Sequence, residues 1–330
     1  AYLHSATMVK AGVYLAARLT PIFGGHPEWF WLVTLIGIVT LFWGSFLAIK
    51  QNDLKAMLAY STVSQLGLIM SLLGVGSLAL HDGYGGHSLL LAGAILAALF
   101  HLVNHSIFKG CLFMVIGILD HETGTRDIRK LGGLMGIMPV SFTLTVIGAF
   151  SMAGLPPFGG FLSKEMFLAG ILNAYRSMDT WLVVLPVAAW IASVLTFIYC
   201  MILVFKTFTG GYHPERLDKT PHEASPGMLV SPAILALIVI ALFFFPNFLS
   251  YSILEPAMHA ILPDLLAPGE RFDAHISPWH GFSAELFMTI GIVIFGVLLY
   301  KHLPKWSGIY NNLPKKYSLN SLYDGFWAGM

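Results

Sequence analysis

His101, His105 and Lys109 recur at four-residue intervals within one long apolar run. At 3.6 residues per turn they share a helical stripe about 80° wide, rising in steps of about 6 Å. Two histidines in line with a buried lysine read as proton-carrying groups, because imidazole titrates near neutral pH. Burial makes the charged form of lysine costly, so such a lysine can give up and regain its proton. Histidines at i and i+4 also suit a metal. No third ligand is apparent, however, and the adjacent Lys109 cation would repel a metal ion, so none is expected. Asn104 and Ser106 add polar groups able to hold water. Lys10 and Lys164 sit in apolar runs of their own.

The elements that carry these residues belong in a lipid bilayer. Hydrophobic residues make up 56% of the 330-residue chain and charged residues 11%, with a mean hydropathy of +0.74. So few charges could not cover a soluble surface. The net charge of +1 gives no sign of a nucleic-acid partner. Cys111 and Cys200 are isolated within apolar runs and form neither a disulfide framework nor a thiolate metal site. No phosphate loop, dinucleotide fingerprint, catalytic triad or other cofactor motif occurs. The chain opens at Ala1 and enters an apolar run within a few residues, which reads as a start inside a longer polypeptide.

Apolar runs at 2–20, 29–49, 55–80, 88–119, 181–208, 228–250 and 283–303 are each long enough to cross the ~30 Å hydrocarbon core. The stretch 134–174 is too long for one ordinary helix and is interrupted by Gly154-Leu-Pro-Pro-Phe-Gly-Gly160. Pro156 and Pro157 remove two backbone donors there. If the stretch crosses once, twelve of the eighteen lysines and arginines fall on one side and three on the other. If it crosses twice, that bias disappears. The positive-inside tendency therefore selects a single crossing by a broken helix. The expected fold is all-α and polytopic, with eight spans. The loops near 50–55, 120–133 and 209–227 and the C-terminus are expected to be cytoplasmic, and 251–282 external.

The three remaining cations are Lys10, Lys109 and Lys164. Each lands near the midplane, roughly 15 Å deep, at a cost of about 2.5–3.5 kcal/mol. Snorkelling lysines would lie near helix ends instead. Glu165 is the one carboxylate expected inside the membrane, and as the neighbour of Lys164 it points about 100° away. The missing counter-charges are expected on an N-terminal part of the polypeptide or on partner subunits. Broken helices near the midplane are typical of secondary transporters; a structural proline kink is the plainer reading. Asp53 and Lys55 open the third span, followed by Ser61, Thr62, Ser64 and Gln65. These line a half-channel from the cytoplasm or act as interhelical glue. His4 and Thr7 lie on the Lys10 span. The loop 251–282 carries Glu255, Asp264, Glu270 and Asp273 and reads as a solvated acidic segment.

Four segments carry a resemblance: Leu3–Leu15, Asp53–Gly67, His101–Lys109 and Gly154–Glu165. Together they resemble the antiporter-like subunits of respiratory complex I and of Mrp-type cation/proton antiporters, over residues 1 to about 250. Lys10 and the segment Asp120–Gly133 resemble the large antiporter-like subunit of the Mrp type more than its complex I counterpart. The resemblance implies two inverted five-helix repeats, each with one broken helix. On it, 1–20 is the last helix of a first repeat. Residues 29–208 form a second repeat with its broken helix at 134–174, and 209–330 hold two further spans and a cytoplasmic tail. It implies a proton path through Lys10, His101, His105, Lys109 and Lys164, with Lys55 as an entry from the cytoplasm. Asn104, Ser64, Gln65, Glu165, Pro156 and Pro157 would support that path. It also implies partner subunits, protons and Na⁺ as cargo, and a bacterial plasma membrane. Two alternatives stand beside it: a proton-pumping subunit of complex I or a membrane-bound hydrogenase, and an inactive scaffold that only supports assembly.

Overall fold

The computed structural model describes residues 7–81, 87–178, 183–263, 265–267, 269–279, 281–305 and 327. Among these residues the chain is helical with no strands, apart from an isolated bridge between Asp53 and Asp127. A long apolar segment in lipid must satisfy its own backbone groups, and a helix does so. The elements are α1 (Ala11–Phe23), α2 (Pro27–Lys50), α3 (Leu54–Ser77), α4 (Ser88–Thr123), α5 (Pro139–Ala153), α6 (Gly159–Ser177), α7 (Val184–Met201), α8 (Pro226–Phe244), α9 (Pro246–Leu249), α10 (Glu255–Ile261) and α11 (Ala284–Lys301).

By length and composition six helices among the described residues can cross a membrane: α2, α3 extended to Leu80, α4, α7 extended to Lys206, α8 and α11. The sequence predicts eight spans, and two of them account for the difference. The first span is described only from Thr7 onward, so His4 lies outside the described residues, and α1 has 13 residues. The stretch 134–174 divides into α5, with 15 residues, and the more polar α6, with 19.

That division is a pause within one path. Cys111 Sγ donates to the Leu144 carbonyl, Gly148 lies against Leu112, and Gly159 against Asn104. Further along, Ser163 bonds to His101 and Gly170 lies against Ala94. Rising numbers along α5 and α6 meet falling numbers along α4. A hairpin would reverse that order halfway. The two halves therefore run on in one direction, antiparallel to α4.

The 36-residue α4 is the axis of the bundle, and α3, α5, α6 and α8 pack around it. At 1.5 Å per residue it is about 54 Å long, so its last turns carry Asp120 and Glu122 well beyond a ~30 Å core. Against α3, α2 packs through small residues. A β-carbon on Gly67 would collide with the Gly37 carbonyl at 2.6 Å, so glycine permits this approach of backbones. Loop 124–133 is tied to the start of α3: Leu54 N donates to the Arg126 carbonyl at 3.0 Å and Ile128 N to the Asn52 carbonyl at 2.9 Å.

The segment 251–282 is more structured than the expected acidic loop. A wide helical turn at Ser250–Leu254 leads into α10, because Pro246 ends α8 and starts a new helical register. Glu255 is buried and faces His259 at 3.5 Å, while Glu270 and Asp273 are exposed. Asp264, Lys315 and Lys316 lie outside the described residues.

Candidate functional site

The site forms where α3 and α6 close on the middle of α4, and α7 reaches in through Tyr199. His101, His105 and Lys109 are fully buried, and Lys10, Lys164 and Glu165 nearly so. His101 lies between two partners. Its Nδ1 is 2.9 Å from Ser163 Oγ on α6, and its Nε2 is 3.0 Å from Gln65 Oε1 on α3. With an amide oxygen accepting at Nε2, that nitrogen carries the proton. Gln65 Nε2 donates onward to the Tyr199 hydroxyl on α7 at 3.2 Å. A second link runs from Ser64 to Ser45 at 2.7 Å and on to Thr196 at 3.2 Å. Side chains of α2, α3, α4, α6 and α7 thus meet in two polar chains at the bundle centre.

The polar residues of α3 reach neighbouring helices. Ser61 binds Lys109, Ser64 binds Ser45, and Gln65 binds His101. They face neighbouring helices as interhelical hydrogen bonds. A cavity of about 600 Å³ does run along α3 from Lys55 to Val9, next to Lys10. Its lining is apolar apart from Lys55 and Thr62, and the Thr62 hydroxyl is turned back to the Leu58 carbonyl at 2.9 Å.

Each buried lysine has its own oxygen partners. Lys109 Nζ donates to the Leu58 carbonyl at 3.1 Å and to Ser61 Oγ. Lys10 Nζ donates to Ser106 Oγ on α4. Lys164 lies at the break, with Nζ 3.4 Å from the Ala153 carbonyl. That carbonyl belongs to the C-terminal end of α5, where the helix dipole favours a cation. Gly154 makes room for it: φ is +82°, and a β-carbon there would strike the Lys164 stem at 2.6 Å. The amides after the break close on α5, with Leu155 N bonded to the Phe150 carbonyl at 2.9 Å. Pro156 and Pro157 occupy the turn between α5 and α6, joined by a cis peptide bond.

Among the described residues, none of the three lysines forms an ion pair. Glu165 follows Lys164 in sequence and is itself buried. Both ring nitrogens of His105, and Asn104 Oδ1, are buried with no protein hydrogen-bond partner. His105 stacks its edge against Phe108 at 5.5 Å and lies 6.4 Å from the His101 ring. Buried polar atoms of this kind are where internal water binds. No group of three or more His, Cys, Asp or Glu suited to a metal occurs among the described residues.

The structure therefore brings His101, His105, Lys109, Gln65, Asn104 and the break with Lys164 together around mid-α4, and Lys10 reaches the same helix at Ser106. Lys55 stands apart. It pairs with Asp120 at 2.7 Å at the end of the bundle, with both side chains about one-third exposed. Two groups escaped the sequence reading. Ser163 immediately precedes Lys164 and supplies the hydroxyl on His101. Tyr199 is fully buried in α7; its signal was a tyrosine far from the span ends, where tyrosine usually settles.

Comparison with known proteins gives a consistent set of matches. A family model described as NADH:quinone oxidoreductase/Mrp antiporter, TM, matches residues 1–196. The chain is 59% identical over 328 residues to a Na⁺/H⁺ antiporter subunit of Bacillus subtilis, covering 98% of this chain and 41% of that protein. It is 58% identical to the Na⁺/H⁺ antiporter subunit of the same designation in Alkalihalophilus pseudofirmus, covering 100% of this chain and 42% of that protein. A chain in the structure of the Mrp complex from Dietzia sp. DQ12-45-1b superposes with a TM-score of 0.78 at 32% identity, over 99% of this chain and 33% of that one. The chain thus spans about two-fifths of the length of the curated relatives it matches.

Proposed function

The chain belongs to the NADH:quinone oxidoreductase/Mrp antiporter membrane family, and from that premise we propose that it is a proton-translocating part of a multisubunit Na⁺/H⁺ antiporter. It is a multi-pass membrane protein. The full assembly would sit in the bacterial plasma membrane, with the remaining repeat and other subunits supplying the counter-charges. The proton gradient would drive Na⁺ outward, and this chain would act as a secondary transporter subunit with no bond-making chemistry of its own.

The observation that carries this reading is the central row of exchangeable groups without a carboxylate beside its lysines. His101 can accept a proton at Nδ1 from the Ser163 side and release one at Nε2. Ser163 is the neighbour of Lys164, so the histidine on α4 meets α6 one residue away from the broken-helix lysine. Water at His105 would continue the row towards Lys109 and, past Ser106, towards Lys10. A lysine held by a hydroxyl and a carbonyl can lose its proton without leaving an unpaired carboxylate behind. A lysine locked to a buried acid could not do so cheaply. Lys55 is assigned to the rim of this path, where its pair with Asp120 would open to admit a proton.

Lys164 tests the reading. If it must cycle between charged and neutral forms, Lys164→Ala abolishes Na⁺/H⁺ exchange while assembly is kept, since alanine removes a buried charge. Lys164→Arg also fails, because arginine stays protonated. Exchange in vesicles carrying the whole complex at matched protein levels would be lowered by about 10²-fold or more in both variants. Near-normal exchange in the arginine variant would make Lys164 a structural cation and remove it from the path.

A further inference from the structure

The proton-path residues leave a second cluster of cations unexplained. Lys50 ends α2, Lys206 ends the extension of α7, and Lys301 ends α11. All three line one cavity of about 560 Å³, together with Gln51, Asn52 and Tyr300. Among the described residues no acidic side chain lines this cavity, and none of the three lysines forms an ion pair. Elsewhere at this end of the bundle several lysines and arginines are paired, as in Lys55–Asp120, Arg126–Asp53 and Arg129–Asp127.

We propose that this cavity binds the phosphodiester headgroup of an anionic glycerophospholipid. Three observations select that occupant. The first is charge: three ammonium groups from three helices converge beside two side-chain amides and a phenol, and all of these can donate to phosphate oxygens. The second is position. The cavity lies at the ends of three membrane-length helices, where a headgroup sits and a basic interhelical pocket meets the negatively charged leaflet. The third is the surface beside it. Along α11 the side chains of Ile290, Ile294, Phe295 and Leu298 are exposed and lead up to Lys301. They offer a track for acyl chains that a free phosphate ion would not need. Lys50 is already poised over the Phe46 ring, 5.6 Å from its centroid, on the same apolar border.

The site is a docking point for one lipid and lies apart from the row of His101, Lys109 and Lys164. Its test uses the native complex extracted with the full chain in place. Native mass spectrometry would follow retention of phosphatidylglycerol against phosphatidylcholine of identical chains. Each lysine near the surface is worth about fivefold in attraction to an anionic lipid. The variant combining Lys50→Gln, Lys206→Gln and Lys301→Gln should lose phosphatidylglycerol retention by about tenfold or more. The matching Lys→Arg set should keep it, and so should Lys130→Gln, which removes an exposed lysine from a loop at the same end. Unchanged retention in the triple glutamine variant overturns the proposal. So does displacement of the lipid by millimolar inorganic phosphate, which would make the cavity a site for the free anion. Equal loss in Lys130→Gln would reduce the effect to overall charge and overturn it as well.

Discussion

The centre of the bundle and its loop-bearing end handle charge in opposite ways. At the loop end carboxylates meet nearby cations or amides. Arg129 holds Asp127, Arg126 holds Asp53, and His121 and His222 both reach the buried Glu122. Glu223 caps the start of α5, accepting from Val140 N at 2.7 Å and from Ser141 N and Oγ. At the centre, three lysines are held by hydroxyl and carbonyl oxygens alone. Burying a charge without a counter-ion is costly. The loop-end charges fasten segments of chain. On the proposed function the central charges are free to change state, which would separate a path from a clamp.

The sharpest way to break this contrast is to give the centre what the loop end has. Ser61→Asp would place a carboxylate against Lys109, where Ser61 Oγ now accepts. The resulting buried pair should hold the lysine proton and lower Na⁺/H⁺ exchange by about 10²-fold, with assembly intact. Ser61→Asn, of the same size and neutral, should retain much more activity. Equal exchange in both variants, measured in vesicles at matched protein levels, would show that Lys109 does not cycle.

Gln65→Leu attacks the same centre through its hydrogen bonds. Leucine strips the acceptor from His101 Nε2 and the donor from Tyr199. Tyr199 keeps Thr196 and Ser64 as partners, but leaving His101 Nε2 buried and unpaired costs about 1–3 kcal/mol. The thermal midpoint of the solubilised complex should fall clearly. An unchanged midpoint would mean that water replaces the amide and that the chain through Gln65 is not structural.

At the loop end the expected effects are smaller. Glu223→Ala removes the cap of α5 and should cost about 1 kcal/mol, as loss of a capping side chain does. Asp120→Asn breaks a partly exposed pair with Lys55 and should cost less, about 0.2–1 kcal/mol. Both are read as shifts in the midpoint of chemical unfolding. A larger loss for Asp120→Asn than for Glu223→Ala would reverse this ranking and assign Asp120 a role beyond a surface ion pair.

Much of this contrast was legible in the residues. Three lysines in apolar runs, and histidines at four-residue spacing, mark where the buried polar centre lies. The Gly-Pro-rich interruption marks a broken helix, and charge bias selects the single path now seen along α4. Hydropathy reports whether a segment prefers lipid but not which neighbour a polar side chain will meet. Ser163 on His101 and Tyr199 beyond Gln65 both depend on helix rotation, which packing of small residues sets. For the same reason the choice between half-channel and glue on α3 could not be made from composition. The register of Glu255 was hidden too, because Pro246 restarts the helix in a segment that reads as a loop.

The smallest expected effect tests whether loop-end pairs matter at all. Asp127 accepts from Arg129 Nε at 2.9 Å and from its terminal nitrogen at 2.6 Å, and these bonds hold the carboxyl below the usual carboxylate range. A carboxyl depressed in the folded state stabilises it at pH values above the unfolded value of about 3.9. That contribution disappears as the pH falls through the lower folded value. Arg129 is exposed and Asp127 partly so, so solvent screens the pair and the gain is slight. Arg129→Gln should therefore speed amide exchange at Ile128, which is bonded to the Asn52 carbonyl, by a factor of about two at a pH of about 6. At a pH low enough to protonate the carboxyl in the folded state as well, variant and wild type should exchange alike. A difference that persists there would come from packing of the arginine stem over loop 124–133, and the ion pair would then contribute nothing to holding that loop on α3.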